Sequence, residues 1–127
     1  RQGKLLRQVN TAGPRGNRIA RAVMWLREHY REPLQVEVLA QTVNMAPSTF
    51  YRHFREITLL SPLQYQKQLR LHEAQRLILV EKQYISTAAL AVGYENIKQF
   101  SREYKRFFGE PPSASATRAR KTFFGPV

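Results

Sequence analysis

Two stretches of the chain repeat one pattern: LAQTVNMAPSTFYRHF, residues 39–54, and AALAVGYENIKQFSREY, residues 88–104. Each opens with a short apolar segment that contains an alanine and, three residues later, a valine. A turn residue follows, Asn44 in the first copy and Gly93 in the second, and then a segment whose aromatic residues lie four positions apart. Two short helices joined by a tight turn form a helix-turn-helix unit. The chain is therefore predicted to contain two such units.

The two copies differ by one residue in the length of their turns. Ala40 aligns with Ala89, whereas Phe50 aligns with Phe100, so the second copy has one extra residue between its two helices. Arg52 and Arg102 each follow an aligned phenylalanine by two positions. The repeat therefore extends to the charged residues as well as the apolar ones.

Start and stop signals predict the bounds of the helices. The predicted N-terminal caps are Asn17, Ser48, Ser61, Ser86 and Asn96. The first helix is expected to end before Pro33, and a long helix that opens at Ser61-Pro62 is expected to extend to about Val80. Gly109 is expected to stop the last regular helix, and Pro111-Pro112 to prevent it from resuming.

Apolar side chains at helical spacing identify the predicted core. The predicted positions are Ile19, Ala22, Val23, Leu26, Tyr30, Phe50, Phe54, Ile57, Leu63, Tyr65, Leu69, Leu71, Ala74, Leu77, Ile78, Phe100, Tyr104, Phe107 and Phe108. No segment has the alternation of apolar and polar residues that is typical of a β-strand. The fold class predicted from these patterns is all-α, with two helix-turn-helix lobes joined by a long central helix.

The predicted organisation is one double helix-turn-helix domain between two less regular ends. Residues 1–17 are interpreted as a linker from a missing upstream domain, since the chain starts at Arg1 and mixes basic residues with glycine and proline. The domain is expected to cover residues 18–112, with lobes at 18–60 and 81–112 and a linker helix at 61–80. Residues 113–127 are expected to be a disordered tail.

The composition indicates a polyanionic partner. The 127 residues include 21 Lys and Arg but only 9 acidic residues, all of them glutamate, which gives a formal net charge of +12. Such a surplus repels itself unless a polyanion is nearby, and nucleic acid is the first candidate. The absence of cysteine excludes disulfides, cysteine nucleophiles and thiolate metal sites.

Each second helix has a polar face opposite its aromatic residues, and these faces contain the candidate DNA-binding residues. In the first unit the face holds Ser48, Tyr51, Arg52 and Arg55, and in the second Lys98, Ser101, Arg102 and Lys105. Thr49 and Ile97 are added to these candidates because residues near the N-terminus of such a helix reach deepest. Arginine can donate two hydrogen bonds to guanine, and the side chain of Ile97 can contact a thymine methyl group. Arg55 and Lys105 lie further along their helices and are expected to contact phosphates.

Other site types have little support in the sequence. The three histidines, His29, His53 and His72, lack the spacing of metal ligands, so no metal or other cofactor is expected. No serine lies in a nucleophile motif and no glycine-rich loop could bind phosphate, so the chain is not expected to be an enzyme. A basic module for membranes or other anionic surfaces is the alternative, although its aromatic residues would then face outward.

At these residues the chain resembles the DNA-binding domain of the AraC/XylS family of bacterial transcription regulators. The resemblance covers about residues 18–112. It rests on residues 38–40, 45–50, 54–55, 61–65, 69–71, 74, 92–95, 99–102, 108–109 and 111–112. The chain departs from the family pattern at Leu59-Leu60, where a glycine often precedes methionine, and at Asn96 and Lys98, where serine is common.

The resemblance implies seven helices, with base contacts from the third and sixth. It implies that double-stranded DNA is the partner, that RNA polymerase is a further partner, and that the protein is an activator in the cytoplasm, at the bacterial nucleoid. A small-molecule effector would act only through the missing upstream domain, because residues 5–12 resemble the end of a regulator with such a domain. No membrane partner is expected.

Overall fold

The chain is described here by a computed structural model of residues 13–124, with side chains for residues 13–120. This range contains seven α-helices and no β-strand: α1 (Pro14–His29), α2 (Val36–Thr42), α3 (Pro47–Thr58), α4 (Pro62–Leu79), α5 (Ile85–Ala91), α6 (Ile97–Phe108) and α7 (Pro112–Phe124). The predicted all-α class and the seven helices are therefore confirmed. The parts of the predicted linker and tail at residues 1–12 and 125–127 lie outside the described residues.

The chain divides into two compact units, Arg1–Leu69 and Arg70–Val127. The boundary falls inside α4, so the first part of this helix belongs to one unit and the second part to the other. Tyr65 and Leu69 are buried in the core of the first unit, while Leu71 and Ile78 are buried within the second. The helix predicted as a linker thus supplies core side chains to both units.

The core of the first unit lies among α1, α2, α3 and the start of α4. Ile19, Val23 and Leu26 recur along one face of α1 and are fully buried. Phe50 and Phe54 are fully buried on α3, and the ring of Phe54 contacts that of Tyr65 edge-on at 5.8 Å. Full burial of an aliphatic or phenylalanine side chain contributes about 1.5–3 kcal/mol. The inward face of α3 is therefore fixed by its phenylalanines.

The second unit has the same arrangement of aromatic residues on α6. Phe100 and Tyr104 are fully buried, and their ring centroids lie 5.7 Å apart. Tyr94, in the preceding turn, contacts Phe100 at 5.2 Å. The short helix α5 contributes the small buried side chains Ala88 and Ala89, which allow close approach of its backbone. These contacts leave the opposite face of α6 exposed.

The two helix-turn-helix turns have the same hydrogen-bond pattern. In the first, the N–H of Met45 donates to the carbonyl of Ala40 at 2.9 Å, and Asn44 has a left-handed φ of 59°. In the second, the N–H of Tyr94 donates to the carbonyl of Ala89 at 3.0 Å, and Gly93 has a φ of 106°. This pattern is the Schellman motif, which ends a helix with one left-handed residue.

The extra residue of the second turn follows this shared motif. Helix α3 begins at Pro47, two residues after Met45, whereas α6 begins at Ile97, three residues after Tyr94. The additional position lets Asn96 act as the N-cap, and its side chain accepts a hydrogen bond from the N–H of Gln99 at 3.0 Å. Asn96 is therefore confirmed as the cap that the sequence predicted.

Three of the five predicted caps are wrong, by two to four residues. Helices α1, α3 and α5 begin at Pro14, Pro47 and Ile85, so Asn17, Ser48 and Ser86 all lie inside the first turn. For α1 and α3 the reason is a proline at the first helical position, where its missing N–H has no cost and its φ is preset. The cap at Ser61 is confirmed, since its hydroxyl accepts from the N–H of Gln64 at 3.1 Å.

The expected disorder is also wrong for residues 113–124. Helix α7 extends from Pro112 to Phe124, because Pro112 begins a helix rather than preventing one. The carbonyl of Pro111 accepts hydrogen bonds from the N–H groups of Ala114 and Ser115. The hydroxyl of the buried Ser115 donates to the Glu110 carboxylate, which also pairs with Arg118 and whose pKa these two bonds hold below its ordinary value.

Two predicted core positions are substantially exposed. Leu63 retains 50% of its accessible surface and Phe107 retains 39%. Each lies on a helix whose other apolar residues already fill the core. The helical spacing therefore predicted burial for two side chains that lie on the exposed side of their helices. The ring of Phe107 nonetheless contacts that of His72 edge-on at 5.2 Å.

Candidate nucleic-acid interface

Helix α3 presents its predicted reading residues on the face opposite Phe50 and Phe54. Ser48, Arg52 and Arg55 are exposed, whereas Thr49 and Tyr51 are half-buried at the edges of that face. Tyr51 also packs against the core of the first unit. The eight residues from Ser48 to Arg55 rise about 10 Å along the helix, or two turns. The structure thus brings the five predicted residues of the first unit together on one helix.

Helix α6 presents four of the five residues of the second predicted set in the same way. Lys98, Arg102 and Lys105 are exposed, Ile97 retains 39% of its accessible surface, and Ser101 is half-buried. An isoleucine with this exposure at the first turn of a helix can contact another molecule, because nothing in its own unit covers it fully. Lys98, Ser101, Arg102 and Lys105 share the face opposite Phe100 and Tyr104. Ile97 lies three residues before Phe100 and seven before Tyr104, so the structure places it on the side of α6 that carries the aromatic residues rather than with the other four.

A buried histidine on α3 carries a contact that the sequence did not reveal. His53 retains only 7% of its accessible surface, and its Nε2 accepts a hydrogen bond from Nη1 of Arg15 on α1 at 3.1 Å. Burial lowers the pKa of His53 from its ordinary value, and the charges of Arg15 and Arg52 lower it further, against a smaller opposing effect of Glu56. The neutral imidazole can accept the hydrogen bond from Arg15, so α1 and α3 are joined beside the predicted DNA-binding face of α3.

The corresponding position on α6 is Glu103, fifty residues later, and it forms a different network. Its carboxylate accepts hydrogen bonds from the hydroxyl of Tyr94 at 2.5 Å and from the amide of Gln99 at 3.1 Å. The guanidinium of Arg70, on α4, lies 5.7 Å from the centre of the Tyr94 ring. Burial and the bond to Glu103 raise the pKa of Tyr94, so its hydroxyl keeps its proton and donates. These contacts tie α6 to the rest of its unit.

Sequence reasoning missed both networks for different reasons. Arg15 precedes Ile19, Ala22 and Leu26 by four, seven and eleven positions, so it extends the buried face of α1 toward its N-terminus. That signal was available, but the helix was expected to start after Asn17 and Arg15 was placed in the linker. The Arg70–Tyr94–Glu103 network joins residues 24 and 9 positions apart, and no pattern in the sequence predicts such a pairing.

Two other kinds of site find no support in the described part of the chain. None of the helices within residues 13–124 combines the length and the apolar character that crossing a lipid bilayer requires. The described histidine and glutamate side chains form no cluster of three or more that could hold a metal ion. The aromatic residues Phe50, Phe54, Phe100 and Tyr104 are fully buried, so they are not available to enter a lipid surface.

The repeated motif and its basic faces define a helix-turn-helix DNA-binding protein. Comparison with known proteins agrees with this class. Residues 39–118 match the sequence model of the family described as "Helix-turn-helix domain". The chain belongs to the AraC/XylS family of transcription regulators and carries the DNA-binding domain of that family.

Several curated relatives are transcription regulators. The "HTH-type transcriptional regulator ArgR" of Pseudomonas aeruginosa is 28% identical over 123 residues, which cover 93% of this chain and 37% of the relative. The "MmsAB operon regulatory protein" of the same species is 31% identical over 97 residues, which cover 76% of this chain and 32% of the relative. The "HTH-type transcriptional activator RhaS" of Pectobacterium carotovorum is 26% identical, covering 84% of this chain and 38% of the relative. The chain thus spans less than two fifths of these relatives.

Solved structures show the same fold. The DNA-binding domain of the global transcriptional factor AdpA, solved in complex with a target DNA, has a TM-score of 0.77 and 30% identity, over 85% of this chain and 97% of that one. The C-terminal domain of AraT from Geobacillus stearothermophilus has a TM-score of 0.74 and 24% identity, over 80% of this chain and 84% of that one. The similarity to AraT concerns the fold alone.

Proposed function

We propose that this chain binds a specific sequence of double-stranded DNA through α3 and α6, which lie in successive major grooves on one side of the duplex. The observation that carries the proposal is the repeated geometry: each of these helices buries two aromatic residues and exposes an arginine two positions after the first. The solved complex of AdpA with a target DNA supports the partner. Burial of the aromatic residues argues against the alternative of a membrane or anionic-surface module.

The reading residues are proposed to divide into two kinds. Arg52 and Arg102 lie in the N-terminal half of their helices and donate hydrogen bonds to base edges. The other proposed base contacts are polar ones from Ser48, Thr49, Tyr51, Lys98 and Ser101, and an apolar one from Ile97 to a thymine methyl group. Arg55 and Lys105 lie about one turn further and contact phosphates. Because the two faces differ in sequence, one molecule is expected to read a site with two unequal halves.

The spacing of the two half-sites follows from DNA geometry. Successive major grooves on one side of the duplex are about 34 Å apart. Helix α4 has 18 residues and a length of about 27 Å, which is a suitable spacer together with its flanking turns. The expected target of one chain is therefore a non-palindromic DNA site whose two halves lie in successive major grooves.

The regulatory role is proposed from the relatives. One of them is called a transcriptional activator, which supports activation at promoters and a contact with RNA polymerase. A small-molecule effector would act through a further domain, since the matched relatives are more than twice as long as this chain. A bacterial regulator of this kind would act at the nucleoid, in the cytoplasm.

The test is selection of bound sequences from a random DNA pool, followed by footprinting on the selected site. Protection of two major-groove segments about 34 Å apart by one molecule is the expected result. Protection of a single segment per molecule would overturn the two-groove arrangement, and failure to enrich any sequence would overturn specific binding altogether.

A further inference from the structure

We propose that Arg15, held in place by the buried His53, binds a DNA backbone phosphate beside α3, so that the first helix of the chain takes part in DNA binding. The inference rests on the proposed function, because it assumes that α3 lies in a major groove. It adds a helix and two residues that neither the repeated motif nor the polar faces of α3 and α6 include.

The first argument is the direction in which Arg15 points. On α1 it is in register with Ile19, Ala22 and Leu26, all of which are fully buried. An arginine at that register extends toward α3 rather than away from the unit, and its Nη1 lies 3.1 Å from Nε2 of His53. Arg15 is itself exposed, so the residue stays accessible to another molecule while its Nη1 contacts His53 on α3.

The second argument is the place of His53 on α3. At 100° per residue, it lies between the exposed Arg52 and the buried core residues Phe50 and Phe54. Burial and then the charges of Arg15 and Arg52 lower the pKa of His53, so both guanidiniums are close enough to act on the imidazole. Arg15 thus lies next to the proposed reading face without belonging to it.

The third argument is the fit of a helix in the groove. An α-helix with its side chains is about 10–12 Å wide, and the major groove is about 12 Å wide. A helix that reads bases therefore has phosphates along both flanks. A cation on the flank, such as Arg15, meets a phosphate and not a base.

The chemistry of the pair suits this role. A guanidinium has five N–H donors, and binding of one by His53 leaves others in the planar arrangement that suits phosphate. His53 accepts only while it is neutral, which its burial favours. Glu56 is the acidic group that faces His53 from α3, and among the described residues Arg15 forms no ion pair with it or with another carboxylate.

The experiment compares Arg15→Ala with Arg21→Ala in the whole chain. Arg21 is a matched control, since it is exposed on the same helix and lies on the opposite face. Affinities for the selected site and for random DNA are measured over a range of salt concentrations, at a temperature where each variant is shown to be folded. Arg15→Lys, which keeps the charge, is the third variant.

Loss of one phosphate contact lowers the slope of log affinity against log salt by about 0.9, which corresponds to roughly eightfold weaker binding at 0.1 M salt. We expect this change for Arg15→Ala on specific and random DNA alike, a restored slope for Arg15→Lys, and no change for Arg21→Ala. Equal slopes for Arg15→Ala and Arg21→Ala would overturn the inference. If the wild-type chain bound the selected site and random DNA equally well, the proposed function would be overturned instead. The two failures are therefore distinguishable.

The positioning role of His53 needs a separate comparison. If His53 acts through Arg15, His53→Leu should weaken DNA binding in the wild-type background and have no further effect in the Arg15→Ala background. A further loss of affinity in that background would show that His53 does not act through Arg15, because the partner is already absent.

Discussion

The candidate DNA-binding residues of α3 and α6 differ in their distance from the N-terminus of each helix. Arg52 and Arg102 lie at the sixth position of α3 and α6, whereas Arg55 and Lys105 lie at the ninth. All four are exposed, so their burial does not distinguish them. The proposed division rests on position alone, since residues early in a recognition helix approach base edges and later ones approach the backbone.

Arg52→Ala and Lys105→Ala should therefore weaken binding in different ways. Arg52→Ala removes a base contact and should cost about 1–3 kcal/mol at one or two base pairs of a single half-site, while random DNA is bound almost as before. Arg102→Ala should have the same effect in the other half-site. Lys105→Ala should weaken binding to all sequences alike and lower the salt slope by about 1.

Affinities for the selected site, for single-base variants of it and for random DNA would measure these differences. The base-reading role of Arg52 would be wrong if Arg52→Ala reduced binding to specific and random DNA by the same factor.

At the scale of elements, the two reading helices end in the same conformation with different residues. Leu59 ends α3 with a φ of 67°, and Gly109 ends α6 with a φ of 85°. In each case the N–H of this residue donates to the carbonyl four positions earlier, Arg55 or Lys105. A left-handed conformation costs a residue with a side chain about 1–2 kcal/mol, whereas glycine adopts it freely. The departure from the family pattern at Leu59 thus costs stability without changing the turn.

Leu59→Gly should raise the stability of the chain. The leucine side chain retains 83% of its accessible surface, so its removal forfeits little burial. Relief of the left-handed strain exceeds the added flexibility of glycine in the unfolded chain, and a net gain of roughly 0.5–1 kcal/mol is expected. Thermal unfolding would show this as a melting temperature higher by a few degrees.

Gly109→Ala is the reciprocal change and should lower the melting temperature. A Cβ atom at residue 109 would meet no atom within 4 Å, so its cost is that of the backbone conformation alone. A lower melting temperature for Leu59→Gly would mean that the leucine side chain makes a stabilising contact that outweighs its backbone strain.

At the scale of the whole molecule, each reading helix depends on the core of its own unit. Phe54 and Phe100 are fully buried, and Leu77 and Ile78 are buried near the end of α4. Truncation of a buried phenylalanine costs about 3–5 kcal/mol, and of a buried leucine or isoleucine about 2–5 kcal/mol. Since a domain has only about 5–15 kcal/mol of stability, such a loss affects binding even when every DNA-facing residue is intact.

Phe54→Ala, Phe100→Ala and Leu77→Ala should therefore all lower the melting temperature and weaken DNA binding. Arg52→Ala is the control, because an exposed substitution typically changes stability by no more than about 0.5 kcal/mol. Thermal unfolding of the four variants distinguishes loss of stability from loss of a DNA contact as the cause of weaker binding. An unchanged melting temperature for Phe100→Ala would contradict its place in the core, and with it the orientation of α6.

The spacing of residues in the sequence determined the helices, the two turns and the polar faces. These features depend on local geometry: apolar residues three or four apart share one side of a helix, and Asn44 and Gly93 suit the left-handed position of a turn. Helix starts were less well determined, because proline at the first helical position competes with nearby polar caps, as at Pro14 and Pro47. Pro112 was expected to prevent a helix and instead begins one.

Only the tertiary structure decided in which unit each residue of α4 is buried and which charged groups contact distant residues. Tyr65 and Ile78 lie on one helix, yet they are buried in different units. Arg15 reaches His53 across 38 positions of sequence, and Arg70 reaches Tyr94 across 24. Such pairs form because packing brings separate helices together, and packing depends on the shapes of whole faces rather than on the spacing of residues within one segment.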